Sequence, residues 1–141
     1  MTTLDKAREA LVNHTLAIVC GESIQTYNDR GIKTLLSVLS DTPNILCGAT
    51  VADKIIGKAA ALLMVNGNVK EVYAEVISES AIDIFRRYRI PFACGKITEK
   101  IINRSGTGIC PMEKAVLEIN EPKNAFEALK QTQILLMKKE A

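Results

Sequence analysis

Residues 48–68 read GATVADKIIGKAAALLMVNGN. The stretch holds a Thr-x-x-Asp spacing, an apolar run broken by one glycine, and an Asn-Gly stop. Thr50 and Asp53 have the spacing of a capping box, which places a helix start here. Ile55, Ile56, Ala59, Ala60, Leu62, Leu63 and Val65 then make that helix apolar nearly all round, as expected of a central, buried element. Gly57 inside a helix costs about 1 kcal/mol against alanine, so its presence predicts a close backbone approach. Asn66-Gly67 ends the run, with glycine suited to a helix cap.

Outward from this stretch, the chain alternates. On its N-terminal side Ile45 to Gly48 reads as a strand without polar alternation, expected when both faces are covered. Before it, Ile32, Leu35, Leu36 and Leu39 recur at helical spacing, with Asn28 or Asp29 as cap and Pro43 as stop. Thr3 to Asn13 reads as a first helix. Leu16 to Cys20 and Ile24 to Tyr27 flank the turn residues Gly21-Glu22-Ser23, which predicts a hairpin. On the C-terminal side Lys70 to Ile77 alternates as a strand nearer the edge of the sheet. Ser80 to Tyr88 reads as an amphipathic helix with Ile82 and Phe85 inward. Pro91 to Cys94 reads as a strand that Ile97 to Ile102 extends or follows. Met112 to Leu117 and Ala125 to Lys138 read as closing helices separated by Pro122. The order implies a single α/β domain over residues 1–141, a three-layer α/β/α sandwich. In such sheets a ligand site forms beyond the carboxyl ends of the strands.

Composition narrows the function classes. The 141 residues are 48% hydrophobic and 24% charged, with 18 basic and 16 acidic side chains and a net charge of +2. That balance gives no sign of nucleic acid or a membrane surface as partner. The polar start MTTLDKAREA does not read as a signal peptide, and the longest apolar run, Ala59 to Val65, is too short to span a bilayer. The expected location is cytoplasmic. Assembly with further copies is left open. Cys20, Cys47 and Cys94 fall in apolar runs and read as buried core thiols. One histidine, His14, leaves no Ser-His-Asp or Cys-His device, and no metal ligand set stands out.

Two helix mouths carry the candidate chemistry. At residues 50–54, Asp53 is either a capping carboxylate or a ligand carboxylate for a ribose hydroxyl. Lys54 is its cationic neighbour, suited to phosphate. Thr50 opens the helix, and Gly48 keeps nearby backbone uncrowded. The second mouth is NRSGTGICPMEKA, residues 103–115. Pro111 suits the first helical position, which makes Cys110 the N-cap and Glu113 the third helical residue. A thiol at a helix start is favoured as thiolate, although Glu113 opposes this. Gly106 and Gly108 suit an anion nest, and Arg104 suits phosphate. The competing reading is a structural cap with an incidental cysteine. Arg30 and Gly31 open a third mouth, with a solvated arginine as the bland alternative.

The element order resembles the cytidine deaminase-like fold: helix, hairpin, then helices laid on a mixed sheet. Deaminases carry zinc at two helix starts, through H-x-E or C-x-E and P-C-x-x-C. The matching places here, NDRG (28–31) and TVADK (50–54), supply neither histidine nor cysteine, so the resemblance implies a zinc-independent protein without a cofactor. VADKIIGKAAALL, EVYAEVISESA and INRSGTGICPMEKAV are similar to a family of uncharacterised prokaryotic proteins with that fold, a domain of unknown function. The resemblance implies a nucleotide or ADP-ribose-like ligand, by analogy. It is compatible with an enzyme reacting at Asp53 or Cys110, or with a non-catalytic nucleotide- or anion-binding module.

Overall fold

The computed structural model describes residues 2–29, 32–101 and 108–140, with residues 139 and 140 as backbone alone. The chain begins with α1 (Thr3–Leu11) and the hairpin β1 (Leu16–Cys20) and β2 (Ser23–Tyr27). Then come α2 (Lys33–Asp41), a 3-10 turn at Pro43–Ile45, β3 (Thr50–Ile56) and α3 (Lys58–Asn66). β4 (Glu71–Ser78), α4 (Glu79–Arg87), β5 (Phe92–Thr98), α5 (Pro111–Ala115) and α6 (Pro122–Glu140) complete it.

The decisive stretch divides at Gly57. Residues 50–56 form a strand, not the first turns of a helix, and helix starts only at Lys58. Thr50, Val51, Ile55 and Ile56 are β-branched and favour a pleated surface. β1 and β4 flank this segment and supply ladder partners on both sides. The Thr50–Asp53 capping box therefore does not exist, because both residues lie within a strand. The strand expected at Ile45 to Gly48 is likewise absent. A 3-10 turn followed by a turn at residues 46–48 occupies that place. The helical remainder agrees with its apolar pattern: Ala59 through Met64 are all buried.

The five strands form one mixed sheet in the order β2-β1-β3-β4-β5. β1 pairs antiparallel with β2 and β3, while β3, β4 and β5 run parallel. β4 therefore lies next to the β5 edge, and residues 92–98 are one strand. Side chains alternate between faces along a strand, and β1 shows it. Leu16 and Ile18 join the main core with residues of α2, α3, α4 and α6. Ala17 and Val19 join Ala52 and, from α1, Ala7 and Leu11 in a small second core. Helices thus cover both faces unequally. The small residues Ala7, Ala17 and Ala52 allow α1 a close approach. Burying a side chain such as Leu11 or Ile18 stabilises the fold by about 1.5–3 kcal/mol each.

α1 is fixed at its start by a reciprocal cap: the Asp5 N–H donates to Thr2 Oγ1 and the Thr2 N–H to Asp5 Oδ2, both at 3.1 Å. α2 starts at Lys33 after Ile32, without a side-chain cap, so Asn28 and Asp29 do not serve it. Their neighbourhood is different: the Asn28 and His14 side chains hydrogen-bond at 2.7 Å. Thr15 Oγ1 donates to the Asp29 carbonyl at 2.7 Å. Among the described residues no helix is long and apolar enough to cross a membrane.

Candidate functional site

β3 and β4 run almost directly into α3 and α4, so both helix starts lie at the carboxyl edge of the parallel strands. The α4 start is capped from within. Ser78 Oγ accepts the Ala81 N–H at 3.2 Å and lies 3.1 Å from Ser80 Oγ. The α3 start is closed from outside by Glu113. Its Oε1 accepts the Lys58 N–H at 2.8 Å, and its Oε2 accepts the Ala59 N–H at 2.7 Å. In return Lys58 Nζ donates to the Leu117 carbonyl at 3.0 Å, just past the end of α5. Each helix therefore satisfies unpaired backbone groups of the other.

Gly57 makes this closure sterically feasible. A Cβ there would meet Glu113 Oε1 and stand 2.6 Å from its Cδ and 2.8 Å from Ile101 Cγ1. The close backbone approach expected of Gly57 is real, and its partner is a carboxylate. Burial raises the Glu113 carboxyl above its ordinary range, opposed by the Ala59 and Lys58 amides and the Lys58 charge. Burial lowers Lys58, opposed by Glu113, with Arg87 adding to the lowering. Beside the closure lies a cavity of about 120 Å³, lined by Lys58, Ser80, Lys100, Ile101, Ile109, Glu113 and Leu117. Sequence reading missed Lys58, Ser80 and Lys100. The available signal was a lysine directly after a glycine that ends an apolar strand.

Asp53 occupies a second environment, in mid-strand. Across the sheet its row is Tyr27, Leu16, Asp53, Ala74 and Cys94. Leu16 and Ala74 belong to the main core, and Tyr27 and Cys94 pack against it. The half-buried Asp53 carboxyl thus stands on an otherwise apolar face. Its Oδ1 accepts the Ile55 N–H at 3.3 Å. Burial pushes its pKa up to about 7, opposed by the Ile55 and Lys54 backbone amides.

The other sequence candidates disperse. Lys54 follows Asp53 in the strand and so points to the opposite face, where Nζ lies 3.5 Å from Glu75. Thr50 is buried, and its Oγ1 has no hydrogen-bond partner among the described residues. It and Gly48, in an exposed turn at φ +71°, lie at the amino end of β3. That end is about 20 Å from Gly57 for a seven-residue strand. Gly108 is exposed, and a Cβ there would meet nothing within 4 Å. Cys110 is the N-cap of α5 with Pro111 following, as the sequence predicts, but α5 has only five residues. The Cys110 side chain makes no cap bond and packs half-buried against the main core. Arg30, Gly31, Arg104 and Gly106 lie outside the described residues. The core assignment of the other thiols needs correction: Cys20 and Cys47 are exposed and Cys94 is half-buried. Cys20 ends its strand beside a turn, and Cys47 lies in a turn where a strand was expected.

Comparison with known proteins places this architecture. No curated protein matches the chain. The crystal structure of a DUF1893 family protein (TM1506) from Thermotoga maritima superposes with a TM-score of 0.81 at 28% identity. The match covers 96% of this chain and 89% of that one. The family model TM1506, domain of unknown function (DUF1893), matches residues 6–133, and the chain therefore belongs to the DUF1893 family.

Proposed function

We propose that this protein has a cytidine deaminase-like fold and binds a nucleotide or ADP-ribose-like ligand in a site that includes the Asp53 carboxyl. Asp53 is its reacting or ribose-binding group. The observation that carries this reading is the half-buried Asp53 carboxyl on an apolar sheet face, with burial raising its pKa to about 7. Perturbed carboxyls in such places are enriched at functional sites. A carboxyl poised there accepts a proton or a hydroxyl hydrogen bond near neutral pH. The fold reading is supported by the element order, a helix, then a hairpin, then helices on a mixed sheet. The zinc-independent character rests on the missing ligand motifs at 28–31 and 50–54.

Asp53 is a better reacting group than Cys110, because Cys110 packs against the core at the start of a very short helix. Glu113 takes the Lys58 and Ala59 amides at the α3 start, so those donors do not serve a phosphate. That same closure favours a second reading, a non-catalytic module in which residues 108–117 serve folding.

The test is a thermal-shift panel of adenine, cytosine and uracil nucleotides and ADP-ribose on wild type and Asp53→Asn, with intact mass spectrometry. A ligand that raises the wild-type melting temperature and loses its effect in the variant supports the site. A covalent adduct on Asp53 favours the reacting role. No shift with any of these compounds removes the nucleotide reading. One tightly bound zinc per chain by elemental analysis overturns the zinc-independent one.

A further inference from the structure

We propose that Cys20 and Cys47 form a redox-active thiol pair that closes to an intramolecular disulfide on exchange with a low-molecular-weight disulfide. Both thiols are free and exposed, whereas Cys94 and Cys110 are half-buried against the main core. Topology brings the two exposed ones to the same corner of the sheet. Cys20 is the last residue of β1, and the β1–β3 ladder pairs Val19 with Thr50. The next position along that register sets Cys20 opposite Ala49. The Ala49 N–H bonds back to the Leu46 carbonyl at 3.0 Å, so residues 46–49 form a tight turn that contains Cys47. Antiparallel partners lie about 5 Å apart, and the ends of such a turn lie within about 7 Å. Together these bounds put the Cys47 Cα within about 12 Å of the Cys20 Cα.

The backbone around both thiols is adaptable. Each cysteine is followed by a glycine at positive φ, Gly21 at +61° and Gly48 at +71°, and a Cβ on either would meet nothing within 4 Å. A disulfide needs its Cα atoms within about 7 Å, and two open glycine turns allow the final approach. By strand alternation Cys20 points to the face of Leu16 and Ile18.

The chemistry balances as two exchanges. One protein thiolate attacks the small disulfide, forms a mixed disulfide and releases one small thiolate. The second protein thiolate attacks the protein sulfur of that mixed disulfide and releases the other. The protein loses two hydrogens, and one small disulfide becomes two thiols.

The experiment treats the native full-length chain with oxidised glutathione, then alkylates it without reduction and maps peptides by mass. The expected product is a monomer with a Cys20–Cys47 cross-link, two hydrogens lighter, that reduced glutathione reverses. Cys20→Ser and Cys47→Ser should each stop at the mixed disulfide on the remaining cysteine, while Cys94→Ser and Cys110→Ser should cross-link as wild type does. Stable glutathione on both Cys20 and Cys47 without a cross-link would overturn the pairing, as would a purely intermolecular disulfide. Iodoacetamide labelling rates on wild type give a measure independent of variant folding. Cys20 and Cys47 should react first, and faster labelling of Cys94 or Cys110 would also sink the proposal.

Discussion

Glu113 and Asp53 are both carboxyls that burial pushes upward, yet they stand in opposite circumstances. Glu113 holds two helix-start amides, one on each oxygen, at 2.8 and 2.7 Å. Among the described residues Asp53 has only the amides of its own strand and an apolar row on either side. A buried carboxylate that satisfies a helix mouth contributes to the fold. A buried carboxyl with local amides alone is a cost that folding does not require. The difference separates a structural acid from a candidate functional one.

Substitution at Gly57 should break the Glu113 side of this contrast most severely. In Gly57→Ala the new methyl group collides with the Glu113 carboxylate and Ile101. Overpacking of this kind, together with displacement of the cap, should cost about 3 kcal/mol or more. Urea unfolding measures it, and a loss under about 1 kcal/mol would mean that α5 moves aside freely.

Removing the cap itself comes next. Glu113→Ala leaves the Lys58 and Ala59 amides without their acceptors and should destabilise the protein by about 2–3 kcal/mol. Glu113→Gln keeps one acceptor oxygen and should lose less. Equal losses for the two variants would show that packing, and not hydrogen bonding, holds α5 in place.

Asp53 should behave in the opposite direction. Its carboxyl stays protonated to about 7 in the fold, against an ordinary 3.8. The folded state therefore binds the extra proton between those values, and stability falls as pH rises from about 4 to about 7. Asp53→Asn should flatten that slope and be about 2 kcal/mol more stable than wild type at pH 8. This is below the full linkage, because the carboxyl is only half-buried. A wild-type curve that is flat across this range would return Asp53 to an ordinary, solvated carboxylate.

The smallest effect is expected beside it in sequence. Lys54 pairs with Glu75 at 3.5 Å, with side chains 40% and 46% exposed. Lys54→Ala should change stability by no more than about 0.5 kcal/mol, and any effect should vanish in high salt. A larger, salt-insensitive loss would show that the α1 face depends on this pair more than its exposure suggests.

The helical and apolar patterns show how far local reading reaches. The body of α3 was legible from the apolar run Ala59 to Val65, and α4 from its amphipathic spacing. The hairpin was legible from its Gly-Glu-Ser turn, and the α5 start from Pro111. The boundary inside GATVADKIIGKAAALLMVNGN was not. Thr-x-x-Asp is a helix-start signal only when no neighbouring strand offers ladder bonds, and β1 and β4 both offer them. The exposure of Cys20 and Cys47 was hidden for a related reason: apolar neighbours in sequence do not fix which side of a turn a thiol faces.

What the sequence by itself determined is the α/β class, the buried central helix, the Cys110-Pro111 start of α5, and a close contact at Gly57. These follow from periodicity, fixed proline geometry and the lack of a Cβ, all properties of a residue and its near neighbours. Tertiary structure alone decided that residues 50–56 are a strand, that Asp53 and Lys54 face opposite ways, and that Glu113 seals the start of α3. Fifty-five positions separate Glu113 from Lys58. Hydrogen bonds across that distance depend on how the sheet and helices pack, which no local pattern encodes.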